Sequence, residues 1–219
     1  MLSNHKHFVF DLDGTVLSSG PFYLSILERL CERYQVELTL ADRRLALGLP
    51  ARKFFTEKLP PHVQGPAFDF LVQQSIIDLP HIPVFDGMQD LLRDLRKRGC
   101  RVALWTSRDK ASTEALLTLR GIHDHFDLKV TYDCISRHKP DPEGLIHIAG
   151  KFGCDVRELV MVGDHDVDVQ AAHSAGSKPI RANWHGLTPG FVCPLGAPTF
   201  ETLDEFRRNL VHHVDGKSN

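Results

Sequence analysis

Two pairs of carboxylates follow short apolar runs of the chain. Asp11 and Asp13 come right after "FVF" in "FVFDLDGTVLSSG", and Asp164 and Asp168 belong to "MVGDHDVD". Side chains two residues apart on an extended segment point the same way, and side chains four residues apart on a helix share one face. Each pair could therefore reach a single ligand.

Carboxylates gathered in this way would need positive charge close to them. At a low effective dielectric, neighbouring carboxylates repel by roughly several kcal/mol, and one of them would otherwise take up a proton. An all-oxygen ligand set suits Mg²⁺, which binds through one or two carboxylates together with water and substrate phosphate. Lys139 in "SRHKPDP" could provide a second positive charge. The sequence therefore predicts a Mg²⁺ site.

Alternating strands and helices would position these residues. Five apolar or β-branched runs predict strands, and from the second onward they alternate with helical patterns, which is typical of a parallel sheet covered on both faces. Ligands of such α/β sheets collect at the carboxyl ends of the strands, where Asp11, Thr106 and Asp164 are expected. The predicted strands lie within residues 7–13, 100–107, 126–133, 158–164 and 177–183.

A helical insertion is expected after the first strand. Some 70 residues with helical periodicity separate that strand from the helix near residue 88, with "SSGP" at their start and Pro80 and Pro83 at their end. We therefore predict an α/β core formed by residues 1–17 and 85–219 and a small helical lobe formed by residues 18–84. The last segment, 199–219, predicts a closing amphipathic helix with a frayed polar end.

Composition limits the partners that the chain could bind. Its 26 basic and 28 acidic residues give a net charge of −2 without a dense basic run, which argues against nucleic acid and anionic membranes. The five cysteines are scattered without a C-x-x-C pair, which argues against a zinc ribbon or a disulfide framework and favours the cytoplasm. No apolar run approaches the ~20 residues of a membrane helix. A small-molecule partner is expected, and the oligomeric state stays open.

Each signal also has a simpler explanation when taken alone. An isolated "DLDG" fits an ordinary turn after a strand, Asp164 fits a helix N-cap, and Lys139 fits a solvated loop lysine. Their joint placement, in order, at the same edge of a predicted sheet favours a functional site.

Four motifs in order resemble those of the haloacid dehalogenase superfamily, within it the small phosphatases that include phosphoglycolate phosphatase. They are "DLDGT" at 11–15, the threonine of "LWTS" at 104–107, "KPDP" at 139–142 and "GDHDVDVQAAHSAG" at 163–176. The resemblance implies a Rossmann-like core with a helical cap inserted after the first motif. It also implies a phosphatase acting on a small phosphorylated metabolite.

The resemblance implies roles for the carboxylates. Asp11 would attack the substrate phosphorus and form an aspartyl-phosphate. Asp13 would protonate the leaving alcohol and then activate water. Mg²⁺ would be held by Asp11, by the backbone carbonyl of Asp13 and by Asp164, while Asp168 would bond metal-bound water or Lys139.

Substrate contacts are also implied by the resemblance. Thr106 and backbone amides near Gly14 and Ser107 would hold the phosphoryl oxygens, and Lys139 would pair with Asp11 and phosphate. "GLPARKFF" at 48–55 resembles a cap segment that faces the active site in relatives. Arg52 and Lys53 are therefore candidates for substrate contact, although solvated charges on the cap explain them better.

Two alternatives stay open. A phosphosugar mutase of the β-phosphoglucomutase type keeps both aspartates of the first motif and the same class of cap. A regulatory or binding protein on this fold is a second alternative, disfavoured because a chain without turnover has no need of a repulsive carboxylate cluster. Dehalogenases and phosphonatases lack the second aspartate. The chain departs from its relatives at Ser18 and Ser19, where many carry Asp-Ser, and at Ser107, where many carry asparagine.

Overall fold

The five predicted strands and one further strand form a parallel sheet. A computed structural model describes residues 2, 5–48 and 51–211. In this part of the chain the strands are β1 (His7–Phe10), β2 (Arg101–Trp105), β3 (Leu128–Val130), β4 (Leu159–Gly163), β5 (Lys178–Ala182) and β6 (Thr199–Phe200). All neighbours pair in parallel, in the order β3-β2-β1-β4-β5-β6. This is the predicted α/β architecture.

β6 corrects one sequence prediction. Thr199 and Phe200 were expected to begin the closing helix, but they pair with Arg181 and Ala182 of β5. The helix, α9 (Leu203–Val211), begins after them. A strand of two residues is too short to show the alternation that identifies strands in a sequence. The frayed end that was predicted beyond residue 211 lies outside the described residues.

Four further helices lie between the strands of the sheet. They are α5 (Met88–Lys97), α6 (Lys110–Leu119), α7 (Glu143–Phe152) and α8 (Asp166–Ala175). α5 shows how the sequence specifies them, because Met88, Leu91, Leu92 and Leu95 are spaced along one helical face and are all buried. Among the residues that the structure describes, no helix combines the length and apolar character that crossing a membrane requires.

Helices cover both faces of the sheet. Val9 of β1 packs in a core cluster with Ile148 of α7 and Ala171 of α8. The next residue, Phe10, meets Phe206 of α9 edge-on, with 6.4 Å between ring centroids. Successive residues of the central strand are therefore buried on opposite faces, which explains its continuous apolar run.

The residues after β1 form a second compact unit. The chain divides into Met1–Leu17 with Val84–Asn219, called the sheet unit, and Ser18–Pro83, called the helical unit. The helical unit has its own apolar core, which includes Leu27, Leu30, Phe54 and Phe55. Its helices are α1 (Gly20–Arg33), α2 (Leu40–Gly48), α3 (Ala51–Lys58) and α4 (Pro61–Asp78).

Candidate active site

The chemistry-bearing residues follow three adjacent central strands. Asp11 follows β1, Thr106 follows β2 and Asp164 follows β4, and these strands lie in the order β2-β1-β4. The strand order reverses at β1, because the chain continues to β2 on one side and reaches β4 on the other. In open α/β sheets, the crevice at the carboxyl ends beside such a reversal is the usual ligand site.

Three carboxylates meet at this edge. One side-chain oxygen from each of Asp11, Asp164 and Asp168 lies within 4.8 Å of the others. Asp11 and Asp168 are 9% and 2% exposed. Gly14 lets the loop after β1 come close to Asp164, because its φ is +77° and a Cβ there would overlap the Asp164 carboxylate. A Cβ on Gly163 would likewise overlap the Asp168 carboxylate. These two glycines explain why the carboxylates can crowd together.

Lys139 supplies positive charge to this cluster. Its Nζ donates hydrogen bonds to Asp11 Oδ1 at 2.6 Å and to the Trp105 carbonyl at 2.8 Å. It also forms an ion pair with Asp168 Oδ1, at 2.7 Å. The Lys139 side chain is 3% exposed. One buried ammonium group thus bridges two of the three carboxylates.

Burial and like charges shift the pKa values of the cluster. Burial raises the pKa of Asp11 to about 7, against the opposing effect of Lys139. Burial, and then the charges of Asp11 and Asp168, raise the pKa of Asp164 well above its ordinary value, although part of this residue reaches solvent. Burial alone would lower the pKa of Lys139, but Asp11 and Asp168 outweigh it and raise that pKa. The cluster therefore carries more negative charge than one lysine balances.

These residues fit a magnesium ion. Their ligand atoms are all carboxylate oxygens, the donors that a hard divalent cation prefers, and the raised pKa values of Asp11 and Asp164 mark a site that favours additional positive charge. The donor set therefore suits the predicted cofactor.

Asp168 is held in place at the start of α8. Its Oδ2 accepts a hydrogen bond from the His165 backbone N–H at 3.1 Å, while His165 Nδ1 accepts one from Val167 N–H at 3.2 Å. This reciprocal arrangement is a capping box, with histidine in the position usually taken by serine or threonine. Both Asp168 oxygens are thus engaged, one by the helix cap and one by Lys139.

The Asp13 carboxylate points to a different partner. Arg108 Nε lies 2.5 Å from Asp13 Oδ2, and Arg108 Nη2 lies 2.9 Å from Asp13 Oδ1. Arg108 is not among the residues predicted from the sequence, because an arginine in a loop usually indicates a solvated charge. Its position two residues after Thr106, beyond the end of β2, is the signal that could have found it.

The structure places the predicted phosphate-binding groups as follows. Thr106 is buried, and its Oγ1 accepts a hydrogen bond from the Arg108 backbone N–H at 3.1 Å. That hydroxyl keeps its own hydrogen for another acceptor. Ser107 is exposed. The Gly14 N–H donates to the Leu17 carbonyl at 2.8 Å and so closes the turn after Asp13.

The two candidates on the helical unit lie on α3. Arg52 and Lys53 are both exposed, and the Arg52 guanidinium lies 3.7 Å above the Phe68 ring centroid. This cation–π contact gives Arg52 a role within the helical unit. Substrate contact by Arg52 or Lys53 stays a prediction.

Trp184 is a further residue near the site that no sequence pattern indicated. Its indole Nε1–H donates a hydrogen bond to the Thr15 carbonyl at 2.9 Å, and its ring packs 5.7 Å from that of Phe206. Thr15 lies two residues after Asp13. The Trp184 side chain therefore ties the Asp11–Thr15 loop to the loop that follows β5.

Comparison with known proteins identifies the family. The model of haloacid dehalogenase-like hydrolases matches residues 8–182. A phosphoglycolate phosphatase of Cupriavidus necator is 37% identical over 197 residues, covering 86% of this chain and 85% of the relative. A pyrophosphatase of Bacillus velezensis is 28% identical over 185 residues, covering 80% of this chain and 82% of the relative. The chain belongs to the haloacid dehalogenase-like hydrolase family, which confirms the predicted resemblance.

Solved structures confirm the fold class. A hydrolase from Pseudomonas syringae superimposes with a TM-score of 0.76 at 21% identity, covering 94% of this chain and 97% of that structure. A Thermotoga maritima protein, provisionally assigned as a β-phosphoglucomutase, gives a TM-score of 0.71 at 19% identity, covering 94% of this chain and 98% of that structure. At these identities the likeness concerns the fold alone, so it does not choose between phosphatase and mutase.

Proposed function

We propose that this chain is a Mg²⁺-dependent phosphatase that hydrolyses a small phosphomonoester through a phosphoryl group carried on Asp11. One observation carries the proposal. The buried Asp11 carboxylate lies 2.6 Å from Lys139 Nζ, and one of its oxygens lies within 4.8 Å of carboxylate oxygens of Asp164 and Asp168, at the ligand-binding edge of the sheet. A carboxylate set among such charges suits attack on a phosphate ester.

In the first step, an oxygen of the Asp11 carboxylate forms a bond to phosphorus while the ester oxygen leaves. Asp13 gives its proton to that oxygen, so the product is a neutral alcohol. Lys139 and the Thr106 hydroxyl stabilise the negative charge on the phosphoryl oxygens. The product of this step is an acyl phosphate on Asp11.

In the second step, water attacks the phosphorus of the acyl phosphate. Asp13, now ionised, takes a proton from that water, and the Asp11 carboxylate leaves as inorganic phosphate forms. Asp13 thereby recovers the proton that the first step used, and the enzyme returns to its starting state.

The magnesium ligands in this proposal are the Asp11 and Asp164 carboxylates with the Asp13 backbone carbonyl. Asp168 is better suited to a supporting role, since the His165 N–H and Lys139 already engage its oxygens. When bound, the ion would neutralise part of the charge that the carboxylates share with a phosphate ester.

Phosphoglycolate is the first substrate to test. A relative in Cupriavidus necator and one in Nitrosospira multiformis are phosphoglycolate phosphatases by name. The pyrophosphatase of Bacillus velezensis makes pyrophosphate the second compound to test.

A phosphate-release assay tests this function. The wild type with Mg²⁺ should release phosphate from phosphoglycolate or another small phosphomonoester, and EDTA should abolish release. Asp11→Asn should lose turnover while folding normally, and Asp155→Asn, which alters an exposed carboxylate paired with Arg157, should retain it. Formation of a phosphosugar isomer without phosphate release would instead support a mutase. Turnover by Asp11→Asn, or phosphate release that is unchanged by EDTA, would contradict the proposal.

A further inference from the structure

Arg108 is the cationic side chain that holds the proton-transferring residue of the proposed reaction. Its guanidinium donates hydrogen bonds to both carboxylate oxygens of Asp13, from Nε at 2.5 Å and from Nη2 at 2.9 Å. We propose that Arg108 also binds a negatively charged group on the leaving alcohol, so that the enzyme selects phosphomonoesters whose alcohol carries an anion, such as a carboxylate, next to the ester carbon. This inference rests on the proposed function, because it assigns the leaving-group contact of the same site.

The guanidinium carries a second pair of donors that matches such a group. Five N–H donors lie in one plane, and carboxylates bind to pairs of them. Asp13 occupies the edge formed by Nε and Nη2. The edge formed by Nη1 and the other Nη2 hydrogen can receive a second carboxylate in the same bidentate manner.

The distances suit a leaving group of two or three carbons. The ester oxygen must come within hydrogen-bond distance of Asp13 to receive its proton, and Arg108 is hydrogen-bonded to that same carboxylate. Two consecutive hydrogen bonds place the guanidinium about 5 Å from the ester oxygen. A carboxylate one carbon beyond the ester oxygen falls within this span.

Hydrogen bonds preorganise the loop that carries Arg108 before any substrate binds. Its backbone N–H donates to Thr106 Oγ1 at 3.1 Å, and its carbonyl accepts from Tyr132 N–H at 2.8 Å. The next residue, Asp109, caps α6 through Ser112 N–H at 2.9 Å. The Arg108 side chain is 21% exposed. A partly buried arginine on a fixed loop binds an anion with a small additional loss of conformational freedom.

The local charges explain why an anionic leaving group needs this arginine. The Asp11, Asp164 and Asp168 cluster would repel a carboxylate on the leaving alcohol. Arg108 places a positive charge and hydrogen-bond donors beside that carboxylate. A neutral leaving group needs neither effect.

The experiment compares phosphoglycolate with its neutral amide, phosphoglycolamide, as substrates of the magnesium-loaded enzyme. The readout is the ratio of kcat/KM for the acid to kcat/KM for the amide. The wild type should prefer the acid by about 10- to 100-fold, the discrimination expected from a charge-assisted hydrogen-bond pair. Arg108→Gln should bring the ratio close to one, and Arg108→Lys should give an intermediate ratio. Arg157→Gln, an exposed arginine in the segment before β4, is the matched control and should keep the wild-type ratio.

The outcomes separate this inference from the proposed function. If the wild type hydrolyses both substrates equally, if Arg108→Gln keeps the wild-type ratio, or if Arg108→Lys falls to the ratio of Arg108→Gln, the inference is wrong while the phosphatase function stands. Hydrolysis of no phosphomonoester at all would overturn both. If Arg108→Gln fails to fold, product inhibition of the wild type tests the inference instead. The inhibition constant of glycolate should then be at least ~10-fold lower than that of glycolamide. Equal inhibition would overturn the inference.

Discussion

The ammonium group of Lys139 lies 2.6 Å from the carboxylate of Asp11, a residue 128 positions earlier in the chain. Both side chains are largely buried, at 3% and 12% exposure. The loop before α7 thus brings a cation to the end of β1, where Asp11 needs it. In the proposed reaction Lys139 favours the charged form of the Asp11 carboxylate, which is the form that attacks phosphorus.

Replacing Lys139 with methionine should lower kcat/KM for a small phosphomonoester by about 10²- to 10³-fold, because the cation that stabilises the phosphoryl oxygens and Asp11 is lost. Lys151→Met, at an exposed position of α7, should retain wild-type kcat/KM. Steady-state kinetics on both variants, with circular dichroism to verify folding, provides the measurement. A folded Lys139→Met variant with wild-type turnover would show that this cation has no part in the reaction.

Magnesium should stabilise the wild type against heat. At a concentration 100 times the dissociation constant, a ligand specific for the folded state adds about 2.7 kcal/mol, which corresponds to ~5–10 °C in Tm for a chain of this size. Asp164→Asn should lose most of that shift, because one of the three clustered carboxylates is removed. Asp155→Asn should keep it. Thermal unfolding with and without Mg²⁺, at constant ionic strength, measures the difference, and an equal shift in Asp164→Asn would rule out Asp164 as a ligand.

Trp184→Phe removes the hydrogen bond to the Thr15 carbonyl but keeps an aromatic ring beside Phe206. We expect a loss of about 1 kcal/mol in unfolding free energy, together with a several-fold fall in kcat, because the loop that carries Asp13 loses its tether. Phe200→Leu, which removes an aromatic ring that packs against Phe206, should also lower stability but should leave kcat unchanged. Urea unfolding and steady-state kinetics compare the two variants. Equal kcat values in both would mean that Trp184 contributes to packing alone.

His185 should make stability depend on pH. Burial, followed by the charge of Arg181, lowers the pKa of His185 in the folded protein to about 4, below its ordinary value of 6.5. The folded state therefore favours the neutral imidazole, whose contribution is complete above about pH 6.5 and is lost as the pH falls toward 4. His185→Asn should remove up to about 3 kcal/mol of this acid-dependent loss, while its amide oxygen could still accept from Leu187 N–H. His81→Asn, at an exposed position, is the control. Unfolding free energies near pH 7 and near pH 4.5 give the answer, and parallel pH profiles for wild type and His185→Asn would contradict it.

Strands and helices could be predicted from the sequence where an apolar pattern was long enough. The continuous apolar run of β1 and the stripe of Met88, Leu91, Leu92 and Leu95 on α5 each repeat a period often enough to identify an element. β6 was missed because Thr199 and Phe200 form too short a segment for any period.

The site residues could be predicted from the sequence where a reactive or phosphate-binding side chain comes directly after a strand. Asp11, Thr106 and Asp164 each come directly after a strand, and the parallel sheet brings their positions to one edge. Arg108 and Trp184 were missed because their importance lies in partners far along the chain, Asp13 and Thr15, which no local pattern reveals. An arginine or tryptophan in a loop has many ordinary explanations, and only the folded chain shows which carboxylate or carbonyl it reaches.

The proposed reaction transfers a phosphoryl group to Asp11. The most direct test is acid quenching of the wild type during turnover of a phosphomonoester with Mg²⁺, followed by mass spectrometry of the peptide that contains Asp11. We expect a phosphoryl group on Asp11 that hydroxylamine removes, and no such group in Asp11→Asn. Steady turnover with no label on Asp11, or with the label on another residue, would contradict it.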